Sequence, residues 1–377
     1  MNALRLFLFS HYFSLGAVLP LLALALSARG LRPSEYAWIL MLIPLSRLLA
    51  PPLWGALADL HLGARRLLRA NTLLTALALG VTCFATSLAA IAAGFGLWAL
   101  ASSSLVPLVE ASAYRMLGAS ASSFGYIRVF GSMGFAVSAL GLGFFGVDPE
   151  VRMPFALAAV SYLAAFAATA RLPDAELPKR ALAPVLRTLA RRADMLLLWI
   201  GSTVYYLAHG AFDAYFGPHA RSLSGASAAA VSAAWAIGVL AEIALIWLVP
   251  RWLASRSTRW LLIGSALVAA VRWSLLARAS SSVELLALQP LHGVTFGVWY
   301  LAFVHENQTG APSEIRSTVQ GVAQACIGAG NLGATLIGGY VLERYGGRVL
   351  FDLAAYVALL AAGCYAAREW VLRARAS

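Results

Sequence analysis

Six ionised side chains interrupt stretches that are otherwise apolar: Arg47, Glu110, Arg128, Asp213, Glu242 and Arg272. His11, His209 and His292 lie in similar surroundings. A carboxyl or imidazole in a greasy helix can hold and release a proton. A guanidinium offers paired donors in a planar fork that suits a carboxylate. If those stretches cross a bilayer, each charge costs about 2.5–3.5 kcal/mol at mid-membrane on insertion scales. Residues kept at that cost face a partner or a watery cavity, and they mark substrate or proton paths. Arg47 and Asp213 sit nearer span ends, where snorkelling to the interface also accounts for them.

Arg128 lies in "GYIRVFGSMGF" (125–135), with no acid within four residues to pair with it. The small residues beside it (Gly125, Gly131, Ser132, Gly134) let helices approach closely. Glu110 precedes it by eighteen residues, across the 4–5 loop. Glu242 falls midway through its apolar run, in "GVLAEI", and is the expected proton carrier. His292 could share the proton, since an imidazole titrates near neutrality. Tyr12, Trp54, Gln320 and Gln324 are softer candidates for substrate contact, and packing alone would also account for each.

The elements that must position these groups follow from composition. The chain is 61% hydrophobic and 12% charged, against about 25% charged in soluble domains. Apolar runs of about 18 residues or more recur from end to end and read as transmembrane helices. Twelve are expected, near 4–27, 34–60, 67–87, 88–116, 124–146, 151–172, 194–220, 225–252, 258–279, 282–308, 314–342 and 347–371. "LALALSARG" near residue 25 mimics a leader-peptide cleavage site. Its apolar stretch is long for a leader, and further spans follow at once. With both termini inside, 18 of the 28 basic residues fall on the cytoplasmic side, 7 outside and 3 within spans, the asymmetry that orients membrane proteins. The net charge of +12 therefore points to topology and not to nucleic acid. Three scattered cysteines form no CxxC or metal spacing, and no nucleotide or nucleophile motif suggests an enzyme or a cofactor. "HENQTG" (305–310) contains a glycosylation-type Asn307, which this topology places on the inner side.

The polar stretch 173–193 divides two six-helix bundles, 1–172 and 194–377. Leu182, Val185, Leu186 and Leu189 share one face of its second part, with arginines elsewhere, as in a helix lying on the inner membrane surface. At an offset of 192 residues Arg128 overlies Gln320, Ser132 overlies Gln324, Arg29 overlies Arg221 and Gly141 overlies Gly333. A constant offset favours a duplication. Two six-helix repeats are the plan of a large transporter class with sites near the bilayer midplane.

The 2–3 loop "GALADLHLGARRLL" (55–68) resembles the G-x-L-A-D-x-x-G-R-R motif of the major facilitator superfamily, with Gly55, Asp59, Gly63, Arg65 and Arg66 in the motif positions and one extra residue before Gly63. In that family the acid and arginines form a gating clasp that breaks as the protein changes face. The segments "RLLAPPLWGALAD", "GYIRVFGSMGF", "AIGVLAEI" and "LHGVTFGVWYLAF" resemble the phenylpropionate permease-like, lactose permease-related branch. That resemblance implies a Glu110–Arg128 pair, and a coupling set of Arg272, His292 and Glu242 with Asp213 in reserve. Two departures stand out. The acid that follows the histidine by three residues in lactose permease is Thr295 here, and the sugar-stacking tryptophan falls on Phe135. Sugar specificity does not carry over, and the proton carrier must lie elsewhere.

The resulting expectation is an all-α, twelve-helix secondary transporter of the major facilitator fold. It is monomeric, sits in a bacterial-type inner membrane and moves a small organic solute, with aromatic carboxylates favoured, together with protons. A nucleoside or sugar permease, a drug or metabolite exporter, and a non-transporting receptor or scaffold are the alternatives.

Overall fold

A computed structural model describes residues 2–57, 63–106, 108–109, 124–144, 152–172, 192–224, 226–253, 258–310 and 316–374. Among them there is no strand. The helices are α1 (Asn2–Ala28), α2 (Pro33–Leu40), α3 (Leu42–Leu57), α4 (Ala64–Phe84), α5 (Leu88–Ser102), α6 (Phe124–Phe144), α7 (Met153–Thr169), α8 (Ala193–Ser224), α9 (Ala228–Leu253), α10 (Thr258–Arg278), α11 (Ser282–Ala287), α12 (Trp299–Gly310) and α13 (Arg316–Ala374). A 3-10 turn (Gln289–Leu291) and a π-helical segment (Gly293–Val298) join α11 to α12. Eight described segments are long and apolar enough to cross a membrane, and α5 and α7 are shorter apolar helices. Helix is the expected answer to this composition, because hydrocarbon supplies no partner for backbone polar groups and a helix satisfies its own.

Local chemistry sets several boundaries. Pro33 stands in the first turn of α2, where Glu35 accepts from the Arg32 backbone N–H at 2.8 Å. Ser87 and Ser281 cap α5 and α11, each accepting a backbone N–H at 3.2 Å, which satisfies donors a helix start otherwise leaves orphaned. Gly346 (φ 82°) divides α13, and Gly63 (φ 74°) precedes α4. Both lie in the left-handed region, which glycine enters without steric cost. Span hydroxyls bond back into their own helices, as Thr72 does to Leu68 O at 2.6 Å.

Two compact units are formed, Met1–Lys179 with Ala226–Val239, and Arg180–Gly225 with Leu240–Ser377. The 173–191 part of the expected linker lies outside the described residues. In the first unit α1 packs against α6 and α7, and α4 against α5 and α7. The α1–α6 crossing brings backbone to backbone: a Cβ at Gly134 would stand 2.2 Å from Phe9 O, and one at Gly16 2.5 Å from Phe135 O. Ser14 donates to Ala158 O and Ser161 to Ser10 O, both at 2.8 Å, binding α1 to α7. In the second unit α8 and α10 pack against α13. There a Cβ at Gly330 would stand 2.3 Å from Thr203 O. The two glycine-lined crossings, α1–α6 and α8–α13, join the helices that the 192-residue offset relates.

Candidate functional site

Each unit carries a guanidinium laid on an aromatic face. In the first, Arg128 of α6 places its Cζ 4.1 Å from the centre of the Tyr12 ring of α1, and Nη1 reaches Ser132 Oγ at 3.4 Å. Gly131 makes the stack possible, because a Cβ there would meet Tyr12 Cδ2 at 2.6 Å and Arg128 Nη1 at 3.0 Å. Cation–π contact engages the face of the guanidinium, whereas its hydrogen bonds are made through the edge of the planar fork. Behind Tyr12, His11 is buried and its Nδ1 lies 3.0 Å from Tyr162 OH. Glu110, the expected balance for Arg128, lies outside the described residues.

The second unit buries Arg272 completely. Nη1 donates to Thr295 Oγ1 at 2.9 Å and Nη2 to Gln289 Oε1 at 2.9 Å. The Cζ lies 4.4 Å from the Phe212 ring centre and 4.7 Å from that of Trp273. No carboxylate pairs with it among the described residues. An amide, a hydroxyl and two π-faces stand where an acid would otherwise be required. Its Nη1 also lies 3.3 Å from His292 Nδ1. A guanidinium only donates, so Nδ1 accepts and the neutral ring carries its hydrogen on Nε2.

The π-helical segment Gly293–Val298 arranges this side of the unit. Widening to i→i+5 spacing disturbs the regular ladder, and such segments recur at functional sites. Here Tyr205 OH donates to the Thr295 carbonyl. His292, Phe296 and Tyr300 form a ladder of parallel rings, with centres 5.3 and 5.8 Å apart and interplanar angles of 3° and 4°. Tyr205 stacks on Trp299 at 4.9 Å. On the adjoining face, Gly293 and Gly297 admit α9: a Cβ at Gly293 would meet Ala241 C at 2.9 Å, and one at Gly297 would meet Glu242 Cγ at 3.1 Å. Glu242 is buried in that contact.

The other expected site residues are dispersed. Trp54 Nε1 donates to Leu100 O at 2.9 Å and Ser103 Oγ at 3.0 Å, tying α3 to α5. Phe135 is buried against Trp235, ring centres 5.9 Å apart. Gln324 is half-buried on α13, and the side chain of Gln320 lies outside the description. Asp213 is one turn beyond His209, with Oδ1 3.7 Å from Nε2. Of the loop motif, Gly55 lies in the last turn of α3, Arg65 donates to Ala170 O at 2.5 Å, Arg66 is exposed, and Asp59 lies outside the described residues. Arg47 is exposed on α3.

Sequence reasoning missed a buried charge network. Arg368 Nη2 meets Glu306 Oε2 at 2.7 Å and its Nε donates to Asp194 O at 3.0 Å. Thr258 Oγ1 donates to the other Glu306 oxygen, and Arg192 pairs with Asp194 at 2.7 Å. Asn307, one residue on, is buried and accepts from Trp199 Nε1 at 2.9 Å. Four helices (α8, α10, α12 and α13) meet there. The one available signal was Glu306 itself, an acid within the last turns of a span.

Known proteins share this chain's sequence and fold. It is 28% identical over 346 residues to a maltose permease of Geobacillus stearothermophilus, covering 90% of this chain and 87% of that one. It is also 28% identical over 358 residues to a probable 3-phenylpropionic acid transporter of Escherichia coli (strain K12), covering 93% of each. Among solved structures, the nucleoside transporter NupG superposes with a TM-score of 0.81 at 17% identity over 98% of both chains. The POT family transporter PepTSo gives 0.78 at 13% identity over 99% of this chain and 98% of that one. These last two report the fold alone. Helices of membrane-crossing length, permease relatives over nine-tenths of the chain and a match of residues 1–353 to the model described as "MFS_1 like family" agree: the chain belongs to that family of multi-pass membrane transporters and is not an enzyme.

Proposed function

We propose that this transporter is a proton symporter for a small organic carboxylate, with an aromatic ring favoured, working by alternating access with both termini cytoplasmic. The observation that carries the reading is Arg128 held on the Tyr12 face beside the Ser132 hydroxyl. A guanidinium so oriented is suited to a bidentate carboxylate. Glu242, buried beside Gly297, is the proton carrier in this reading, and Arg272 and His292 are its coupling partners. The relative named for 3-phenylpropionic acid supports the substrate class. A sugar permease is the second reading, favoured by the relative named maltose permease. Phe135 weakens that reading, because the resemblance to lactose permease sets it at that protein's sugar-stacking tryptophan.

Purified protein in liposomes, offered labelled 3-phenylpropionate, benzoate and maltose with and without an inward pH gradient, tests this. The acids should accumulate only with the gradient, and Arg128→Ala should abolish their uptake. Maltose uptake without acid uptake, or normal acid uptake by Arg128→Ala, would overturn the assignment.

A further inference from the structure

Buried polar atoms almost always find partners. His209 on α8 is an exception. The residue is 1% exposed, and neither ring nitrogen has a hydrogen-bond partner among the described residues. Leaving such a group unsatisfied costs about 1–3 kcal/mol, which a phenylalanine in the same aromatic surroundings would not. A state in which the ring nitrogens gain a partner would recover that cost.

The neighbours say which state. Asp213, one helical turn along, holds Oδ1 3.7 Å from His209 Nε2. The Asp213 side chain is 38% exposed and that of His209 only 2%. Closing that gap to a charge-assisted hydrogen bond takes a movement of roughly 0.8 Å. From α10, Arg272 brings its guanidinium to the same cluster, with Cζ 4.4 Å from the Phe212 ring centre and Nη1 3.3 Å from His292 Nδ1. From the π-helical segment, the His292 ring centre stands 5.7 Å away. Tyr205 and Tyr206 flank His209 on its own helix, with centres 6.0 and 5.5 Å distant. Glu242 of α9 lies against Gly297, and Tyr365 of α13 accepts from Trp299 Nε1 at 2.9 Å. Of the two histidines, His292 already presents Nδ1 to a guanidinium, and a second proton there would face a cation. His209 has both nitrogens open and a carboxylate within reach.

We propose that His209 and Asp213 form a protonation site that loads the second unit with a proton. Asp213, the more exposed group, takes the proton from a hydronium ion, whose O–H bond breaks to leave water. The Asp213 O–H bond then breaks as an N–H bond forms at His209 Nε2, which leaves an imidazolium against a carboxylate. Discharge reverses the step. Charge is conserved, and no other reactant is needed. The site rests on the proton-symport reading for its use but not for its existence.

Two measurements separate these. The first follows protein carrying 15N-histidine in nanodiscs from pH 8 to 5, with the His209 resonance identified by its loss in His209→Gln. That resonance should convert to the imidazolium form in the wild type and stay neutral in Asp213→Asn. A resonance that stays neutral to pH 5 in the wild type, or converts equally in Asp213→Asn, overturns the site. The second uses liposomes and labelled 3-phenylpropionate. His209→Gln should lower gradient-driven accumulation at least tenfold while exchange of internal for external label falls less than threefold. Wild-type-like accumulation by His209→Gln overturns a coupling role for the site. If the wild type itself ignores the gradient while His209 still titrates, the symport reading fails and the protonation site stands. Asp213→Asn, altered at the more exposed position, serves if His209→Gln does not fold.

Discussion

Glu306→Gln tests the buried charge network directly. Glu306 and Arg368 contact at 2.7 Å with side chains 9% and 5% exposed, so solvent screens them little. The substitution keeps size and shape. One carboxylate oxygen becomes an NH2 that either faces the Thr258 hydroxyl, which must then accept where it donated, or turns toward the guanidinium. Arg368 keeps its bond to Asp194 O but loses its charge-assisted partner. Removing one member of a buried pair costs about 3–5 kcal/mol, most of it the desolvation of the charge left behind. At roughly 2–4 °C per kcal/mol for a unit of this size class, the unfolding midpoint should fall by about 10 °C. A thiol-reactive dye reads this in detergent, because all three cysteines are free, Cys83 buried and Cys326 and Cys364 partly so. Arg373→Gln is the control. Arg373 is 64% exposed and 3.5 Å from Glu369, whose side chain is 12% exposed; solvent screens this guanidinium, so the loss should be well below that at Glu306. Glu306→Met with Arg368→Met should recover at least half of the loss, since replacing both members removes both stranded charges. A Glu306→Gln midpoint within about 2 °C of wild type would refute the reasoning.

Glu242→Gln mimics a protonated carboxyl, so it should still exchange substrate across liposomes yet fail to concentrate it; gradient-driven accumulation by this variant removes Glu242 as carrier. Asp59→Asn should slow turnover several-fold and leave ligand affinity in detergent nearly unchanged, whereas lost affinity with normal turnover contradicts a gating role. Gly134→Ala places a methyl 2.2 Å from Phe9 O, an overpacking worth about 1–3 kcal/mol. It should lower the dye-detected midpoint, while Ala at Gly141, which has nothing within 4 Å, should not.

Several features were legible in the chain because local rules write them there. Apolar runs of membrane length mark helices, since a bilayer leaves backbone groups no other way to be satisfied. The loop motif and the four matching segments pointed to the family that the whole-chain match shows. The His209–Asp213 pair was also readable in principle, because residues four apart share a helix face.

What balances each charge belonged to the tertiary structure. Arg272 invited a search for an acid, and the fold answers with Gln289, Thr295 and two ring faces. Asn307, which the charge-derived topology places on the inner side, and the arginines Arg192 and Arg368 take part in or adjoin buried bonding around Glu306 and Asp194. Trp54 makes contacts to Leu100 and Ser103, and Phe135 to Trp235, that no local pattern foretells. Periodicity states which residues share a face. It does not state which neighbour that face meets, and partners such as Asp194 and Arg368, 174 residues apart, are chosen only when the helices pack.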